Sequence, residues 1–277
     1  MEIRYFDSAW NDIKNSPGWF GKLALLALVG MIPIFGWIVV AGYMYGWARS
    51  IAWGVHSPMP QHIFGEPDDK PYRRGFYALI IVLVVGLIPG FVSGFSETIY
   101  DSGVSWGAIY CSLVLDILGF ALSIAATIFG AICCVRMAIY DRLSAGFQFG
   151  RVVSMIKQDA KGAARLLGLS VVAEIIAGVV IFIAVMIGSF VAFAAFGVAF
   201  FTASGTGAVT SIGGAAMASG GLILLVVIGC LVLAFVSIMA ALFANLLIVR
   251  ATGYWVYQFD VPQWGKQDDP MPFECGV

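Results

Sequence analysis

LLGLSVVAEIIAGVVIFIAVMIGSFVAFAAFGVAFF, residues 166–201, contains a single charged side chain, Glu174. A helix needs about 20 apolar residues to cross a hydrocarbon core of roughly 30 Å, at about 1.5 Å per residue. This run is long enough to cross. Four further apolar stretches reach a similar length, and they are residues 23–48, 76–96, 107–135 and 221–249. The sequence therefore predicts an all-α fold, a polytopic bundle of transmembrane helices that forms a single membrane domain over residues 1–277.

The composition agrees with a membrane protein. Hydrophobic residues make up 61% of the chain, charged residues 11%, and the mean hydropathy is +0.94. In soluble domains about a quarter of the residues are charged. A nucleic-acid partner would require a basic face on a soluble module. We therefore expect the lipid bilayer as the main partner and no nucleic acid.

The basic residues indicate the orientation of the helices. All 15 Lys and Arg lie in four clusters, residues 4–22, 49–74, 136–165 and 250–266. The connecting stretches 97–106 and 202–220 contain none. Because basic residues are retained on the cytoplasmic side, the pattern predicts a multi-pass protein of the cytoplasmic membrane. Its tail, residues 250–277, is expected in the cytoplasm.

The first apolar stretch, residues 23–48, is basic at both ends and carries Pro33 at its middle. One interpretation is a re-entrant hairpin, broken near Pro33 and Gly36, with a cytoplasmic N-terminus. The other is a single span with the N-terminus outside. We prefer the hairpin because a single span would place three cations, Arg4, Lys14 and Lys22, on the wrong side.

Two amphipathic segments, residues 3–15 and 147–158, are predicted to be helices in the membrane interface. Each has apolar residues at helical spacing opposite basic ones, which is typical of helices in the headgroup plane. The alternative is a pair of linker helices that pack on the bundle.

Short internal similarities suggest an inserted duplication. VGMIP at 29–33 recurs as VGLIP at 85–89, so a helix break is predicted at Pro89 as well as at Pro33. The segments 13–23 and 156–166 also align, at a spacing of 143 residues. Such repeats build many transporters.

A second pair of similar motifs closes two apolar stretches. VRMAIY at 135–140 and VRATGY at 249–254 each place an Arg four residues before a Tyr. The arginine is expected to extend to lipid phosphates, and the tyrosine to lie at headgroup level. The predicted interfacial anchors are therefore Arg136, Tyr140, Arg250 and Tyr254.

Glu174 is the strongest candidate for a binding or transport residue. It follows Arg165 by nine residues, or about 13 Å of helix, and so lies near the middle of the membrane. Charged residues at that depth usually face a bundle interior or a water-filled cavity. The alternative is a structural hydrogen bond between helices, with Asn245 or Ser170 as partner.

Two weaker candidates are Asp116 and Asn245. Asp116 precedes Arg136 by twenty residues, about 30 Å, which places it near the outer boundary and about 15 Å in depth from Glu174. A carboxylate pair is therefore not expected. Asn245 precedes Arg250 by five residues and is predicted to form a bond between helices.

Metal and cofactor sites are not predicted. His56 and His62 lie in a proline-rich loop without a four-ligand set. The five cysteines form no CxxC pair, so they are interpreted as small buried side chains. Two glycine series allow close helix contact, and they are Gly42 with Gly46, and Gly86 with Gly90 and Gly94. We expect them to pack within the chain, and the alternative is a homodimer contact.

Several motifs together resemble the prokaryotic membrane-protein family known as domain of unknown function 4013. They are GYMYGWAR at 42–49, MPQHIF at 59–64, RRGF at 73–76, LIP at 87–89 and FQFGRVVSMI at 147–156. The resemblance covers most of residues 1–160 and departs at Met59–His62, where the family has an acid and a Trp. It implies a multi-pass membrane protein of bacteria or archaea with no established activity, and it carries over no catalytic residue.

Three functions are compatible with these observations. The first is a non-enzymatic membrane or assembly component, such as an accessory to a transporter, that acts with a membrane-protein partner or as a homodimer. The second is a small-solute or proton-coupled transporter that uses Glu174. The third is a lipid-active membrane enzyme, which is disfavoured because the sequence shows no nucleophile and base at a shared depth.

Overall fold

The computed structural model describes residues 5–63, 70–101, 105–204, 212–263, 266–268 and 271. Within these residues the fold is all-α, as predicted, and contains no strand. The described helices are α1 (Tyr5–Lys14), α2 (Trp19–Gly30), α3 (Phe35–Ala52), α4 (Pro71–Asp101), α5 (Trp106–Tyr140), α6 (Leu143–Gly146), α7 (Phe149–Gln158), α8 (Ala160–Ser204) and α9 (Ile212–Tyr257).

Four of the described helices are long and apolar enough to cross a membrane. The qualifying segments are Pro71–Tyr100, Trp106–Tyr140, Ala160–Val191 and Val226–Tyr257. They confirm the predicted bundle of transmembrane helices. Each of α4, α5, α8 and α9 begins before the predicted apolar stretch, because polar residues at the ends continue the helix beyond a hydrocarbon core. For the same reason α9 includes residues 250–257 of the predicted tail.

The first apolar stretch forms a helical hairpin. Helix α2 ends at Gly30 and α3 begins at Phe35, with Pro33 in the turn between them. The Phe35 N–H donates to the Pro33 carbonyl at 2.6 Å, and Ile34 has φ 63° and ψ −63°, the geometry of a γ-turn.

The two ends of this hairpin lie together. Near the start of α2, the Lys22 ammonium donates to the Met59 carbonyl at 2.7 Å. The Met59 N–H donates to the Ser16 hydroxyl at 2.8 Å. Residues before α2 and residues after α3 are therefore at the same end of the molecule.

The break expected at Pro89 is corrected by the structure. Pro89 lies inside α4 (Pro71–Asp101), and the helix continues through it without interruption. A proline removes one backbone N–H and crowds the carbonyl four residues earlier, but helices in membranes tolerate this where neighbours hold the segment. Helix α4 packs against α3 and α5, and that packing holds it.

Helix α3 lies between α4 and α9, while α1 and α2 pack on α9. The contact between α3 and α4 is unusually close. A Cβ added to Gly42 would overlap the Pro71 carbonyl, and one added to Gly75 would overlap the Ile38 carbonyl. The close intramolecular contact expected for Gly42 is therefore present.

Candidate functional site at the polar end of the bundle

Buried charged side chains concentrate at one end of the bundle, where α3, α5 and α9 end and α4 and α8 begin. We call this region the polar end. Helices α1, α6 and α7 cover it. Three ionic clusters organise it, around Arg250, Arg136 and Asp141, and a fourth polar contact centres on Asp159.

The first cluster surrounds Arg250, which is completely buried. Its guanidinium donates to the Asp12 carboxylate at 2.8 Å from Nε and 2.5 Å from Nη2. It also donates to the Trp47 carbonyl at 2.7 Å and lies 4.1 Å from the centroid of the Trp47 ring. The Tyr254 hydroxyl donates to the same Asp12 oxygen at 2.8 Å. This cluster fastens α1 and the end of α3 to the end of α9.

The second cluster surrounds Arg136, which is also completely buried. Its Nη2 donates to the Gln148 side chain at 2.8 Å, and Nη1 lies 3.9 Å from the Met155 sulfur. Gln148 donates to the Asp268 carboxylate at 2.9 Å, and Arg151 donates to the Asp268 carbonyl at 2.6 Å. The segment 266–268 is thereby held against α7.

These two clusters change the interpretation of the predicted anchors. Arg136 and Arg250 are buried in protein rather than directed toward lipid phosphates. Arg136 donates to Gln148, and Arg250 donates to Asp12 and the Trp47 carbonyl. Each guanidinium also lies near the tyrosine one turn later, at 5.9 Å from the Tyr140 ring and 5.6 Å from the Tyr254 ring. The paired Arg and Tyr therefore anchor helices to one another.

The third cluster surrounds Asp141, which ends α5 in a left-handed conformation with φ 53°. Arg74 at the start of α4 donates to its two carboxylate oxygens at 2.5 Å and 3.1 Å. The Lys70 ammonium lies 3.7 Å away. Burial by itself raises the pKa of Asp141, but the hydrogen bonds and charge of Arg74, with the charges of Arg49 and Lys70, hold that pKa below its usual value.

The lowered pKa of Asp141 makes this contact sensitive to acid. A carboxylate with a lowered folded-state pKa stabilises the fold above its unfolded pKa of about 3.9, and this contribution disappears as the pH falls through the folded value. We expect Asp141→Asn to lower the thermal unfolding midpoint of the detergent-solubilised protein at pH 6. The difference from the wild type should shrink between about pH 4 and pH 3. An unchanged difference over that interval would contradict the assignment.

Asp159 joins the start of α8 to the end of α9. Its carboxylate accepts the Gly162 N–H at 2.9 Å, which caps α8. It also accepts the Trp255 indole N–H at 3.0 Å and the Gln258 amide at 2.7 Å. The Tyr5 hydroxyl donates to Gln258 at 3.1 Å and extends the contact to α1. Burial raises the pKa of Asp159, but these hydrogen bonds and the charge of Arg165 outweigh it and lower the pKa.

Glu174 lies outside the polar end, partly buried on α8 beside Thr127 of α5, whose hydroxyl donates to the Ser123 carbonyl of its own helix at 3.0 Å. Thr127 precedes Arg136 by nine residues, the same spacing that separates Arg165 from Glu174. Asp116 is exposed on α5 and lies eleven residues, about 16 Å, from Thr127. The structure therefore does not bring the two carboxylates together.

Asn245 and His56 have local contacts. The Asn245 amide is exposed and donates to the Ala241 carbonyl of its own helix at 2.9 Å, so the bond predicted between helices is replaced by one within α9. The exposed His56 ring lies 6.1 Å from the Tyr254 ring and 6.2 Å from the Tyr257 ring. Among the described residues no group of three metal-ligating side chains occurs.

The acids of the polar end were not singled out by the sequence. Asp12, Asp141 and Asp159 each bind a partner on another helix, and the Asp12–Arg250 pair spans 238 positions. One chemical argument could have pointed to Asp12. A fully buried arginine requires an acceptor, and Asp12 is an acid on the amphipathic helix that begins the chain.

Comparison with known proteins gives a family but no activity. No curated protein and no solved structure matches the chain. A sequence profile described as "Protein of unknown function (DUF4013)" matches residues 25–189, from α2 into α8. This match covers more than half of the chain and extends beyond the residues that carried the resemblance. The protein belongs to the DUF4013 family.

Proposed function

We propose that this protein is a non-enzymatic component of a membrane assembly and that it contacts a partner through one face of α4. The observation that carries the proposal is the position of Gly86, Gly90 and Gly94. Open space surrounds each of them, with no atom within 4 Å of an added Cβ. The sequence expectation favoured packing within the chain, whereas these glycines face away from it.

The shape of this surface suits a second helix. Gly86 and Gly90 form the floor of a shallow depression of about 380 Å³ on α4. Leu87 and Phe91 border it and are 53% and 65% exposed. Small residues four positions apart allow two membrane helices to approach closely, with van der Waals packing as the main gain. A transmembrane helix of a partner, or of a second copy, is therefore the proposed occupant.

The polar end supports a scaffold role. Its ion pairs, Arg250 with Asp12 and Arg74 with Asp141, and the polar contacts of Arg136 and Asp159 fix the positions of α1, α3, α4, α5, α8 and α9. Glu174 lies outside these contacts, beside Thr127. The buried contacts of the polar end favour a rigid component. By the distribution of basic residues, we also propose that the polar end faces the cytoplasm and that the hairpin of α2 and α3 re-enters the membrane from that side.

Cysteine cross-linking in native membranes tests the α4 face. Leu87→Cys is introduced after the exposed Cys111 and Cys230, and also Cys275, are replaced by serine. The new thiol is alkylated with a benzophenone maleimide, which on irradiation inserts into a C–H bond of a neighbouring chain. We expect a photoadduct of higher mass, and we expect Gly90→Leu to abolish it by filling the depression.

The matched control is Gly178→Leu, which adds the same side chain at another glycine with open surroundings, on α8. The control should leave the adduct unchanged. An adduct that persists with Gly90→Leu, or no adduct at Leu87→Cys, would contradict the proposal. The mass of the adduct distinguishes a second copy from another protein.

A further inference from the structure

A deep apolar groove lies between the amphipathic helix α1, the hairpin helix α2, and the membrane helices α8 and α9. Its volume is about 530 Å³, within the range of small-molecule binding sites. Every residue that lines it is apolar. Small side chains create its depth, and Ala177 on α8 and Ala240 on α9 are two of them.

The length of the groove matches one leaflet of a bilayer. It follows α8 from Leu169 to Val180 and α9 from Val236 to Leu247. Each segment rises eleven residues, or about 16 Å. Half of a hydrocarbon core is about 15 Å. The groove therefore extends from the polar end to about the middle of the membrane.

Aromatic rings line the part of the groove nearest the polar end. The Trp10 and Phe243 rings pack edge to face at 5.6 Å, and the Trp19 ring lies 6.3 Å from Phe243. Phe6 and Phe20 complete the set and are 46% and 56% exposed. Aromatic side chains concentrate at the level of lipid headgroups, so this end of the groove is its interfacial end.

Two basic residues lie next to the lining residues at that interfacial end. Lys14 follows Trp10 by four residues on α1, and Arg165 precedes Leu169 by four on α8, so each lies on the face of its helix that lines the groove. Both side chains are exposed. Arg165 also interacts with Asp159. Of the two acids on α1, Asp12 is bound to Arg250, and Asp7 is exposed about two turns before Lys14.

We propose that this groove binds an anionic phospholipid, with one acyl chain along α8 and α9 and the phosphate at the interfacial end, where Lys14 and Arg165 are exposed. Three features favour this ligand over a soluble one. They are the apolar lining, a length that matches a single leaflet, and the cations at the interfacial end. The site is separate from the glycine face of α4, and neither proposal depends on the other.

Native mass spectrometry of the purified full-length protein tests the site. The protein is titrated with dioleoyl phosphatidylglycerol and, separately, with dioleoyl phosphatidylcholine. We expect preferential retention of phosphatidylglycerol. Ala240→Phe should abolish it by filling the groove, and Lys14→Gln with Arg165→Gln should weaken it about tenfold or more, since each cation near a membrane surface contributes about a factor of five.

Gly178→Phe is the matched control, because it adds the same ring on α8 where no atom lies within 4 Å. It should retain the lipid. Should Ala240→Phe not fold, Val172→Trp fills the groove from a side chain that is already 55% exposed. Equal retention of both lipids, or retention by the filled variants, would overturn the proposal.

A photoreactive phosphatidylglycerol with a diazirine in its acyl chain gives the location directly. Labelled peptides are expected from residues 169–180 and 236–247. Labelling confined to other segments, or protection of these residues by a protein partner instead, would also overturn the proposal.

Discussion

Asp12→Ala is expected to lower the free energy of unfolding by about 3–5 kcal/mol, the cost of leaving one member of a buried ion pair without its partner. Arg250 is completely buried, and the Asp12 carboxylate accepts from its guanidinium twice. The variant also removes the acceptor of the Tyr254 hydroxyl. Unfolding in detergent, followed by tryptophan fluorescence, measures the effect.

Two further variants distinguish the loss of the ion pair from the effect of changing any acid on α1. Asp7→Ala changes an exposed acid on the same helix and is expected to cost less than about 1 kcal/mol. The double variant Asp12→Ala with Arg250→Met removes both charges and should be more stable than Asp12→Ala alone. Equal losses for Asp7→Ala and Asp12→Ala would contradict the role given to this pair.

Gly42→Ala is expected to lower the free energy of unfolding by about 3 kcal/mol, near the top of the usual range for overpacking. The added methyl group would overlap the Pro71 carbonyl, and a backbone atom cannot move away as a side chain can. The helices α3 and α4 would have to separate. The yield of folded protein and its unfolding midpoint in detergent check this result.

Gly46→Ala supplies the comparison, one turn later on the same helix. There the nearest atom to an added Cβ is the Arg74 Nη1 at 3.5 Å, which is ordinary contact with a flexible side chain. We expect a change within about 0.5 kcal/mol. If both alanine variants behave alike, the close crossing of α3 and α4 at Gly42 is not real.

The membrane helices were predictable because hydropathy and charge act locally. A run of about 20 apolar residues has few alternatives to a spanning helix. The helices extend beyond the predicted apolar stretches, since hydropathy marks the hydrocarbon-facing part of a helix and not its polar ends. Pro33 and Pro89 occur in nearly the same pentapeptide, yet only Pro33 separates two helices. The two prolines differ in the residues that pack around them, and this packing cannot be read from the pentapeptide alone.

The polar end was not predictable in the same way. Its pairs join residues far apart in the chain, such as Asp12 with Arg250 and Arg74 with Asp141. Arg136 and Arg250 were expected to meet lipid because each ends an apolar run. In the structure they donate instead to acceptors on α1, on α3 and in the loop before α7. These acceptors within the protein take the place expected for lipid headgroups.

The structure adds support for the suggested duplication. Asp12 and Met155 are equivalent at the spacing of 143 residues that aligns 13–23 with 156–166. Arg250 binds Asp12, and the equivalent Arg136 lies 3.9 Å from the Met155 sulfur. Each arginine therefore contacts the amphipathic helix of the other half. Sequence similarity alone could not show this exchange.

The central claim is that residues 23–48 enter and leave the membrane on one side, so that helix α1 and the end of α9 lie on the same side of the membrane as the polar end. An epitope tag at residue 2 tests it most directly, together with a C-terminal tag and one inserted at 102–104 as references. On intact cells, antibody should reach only the tag at 102–104, and the two terminal tags should require permeabilised membranes. A tag at residue 2 that is accessible on intact cells, beside an inaccessible C-terminal tag, would contradict the hairpin.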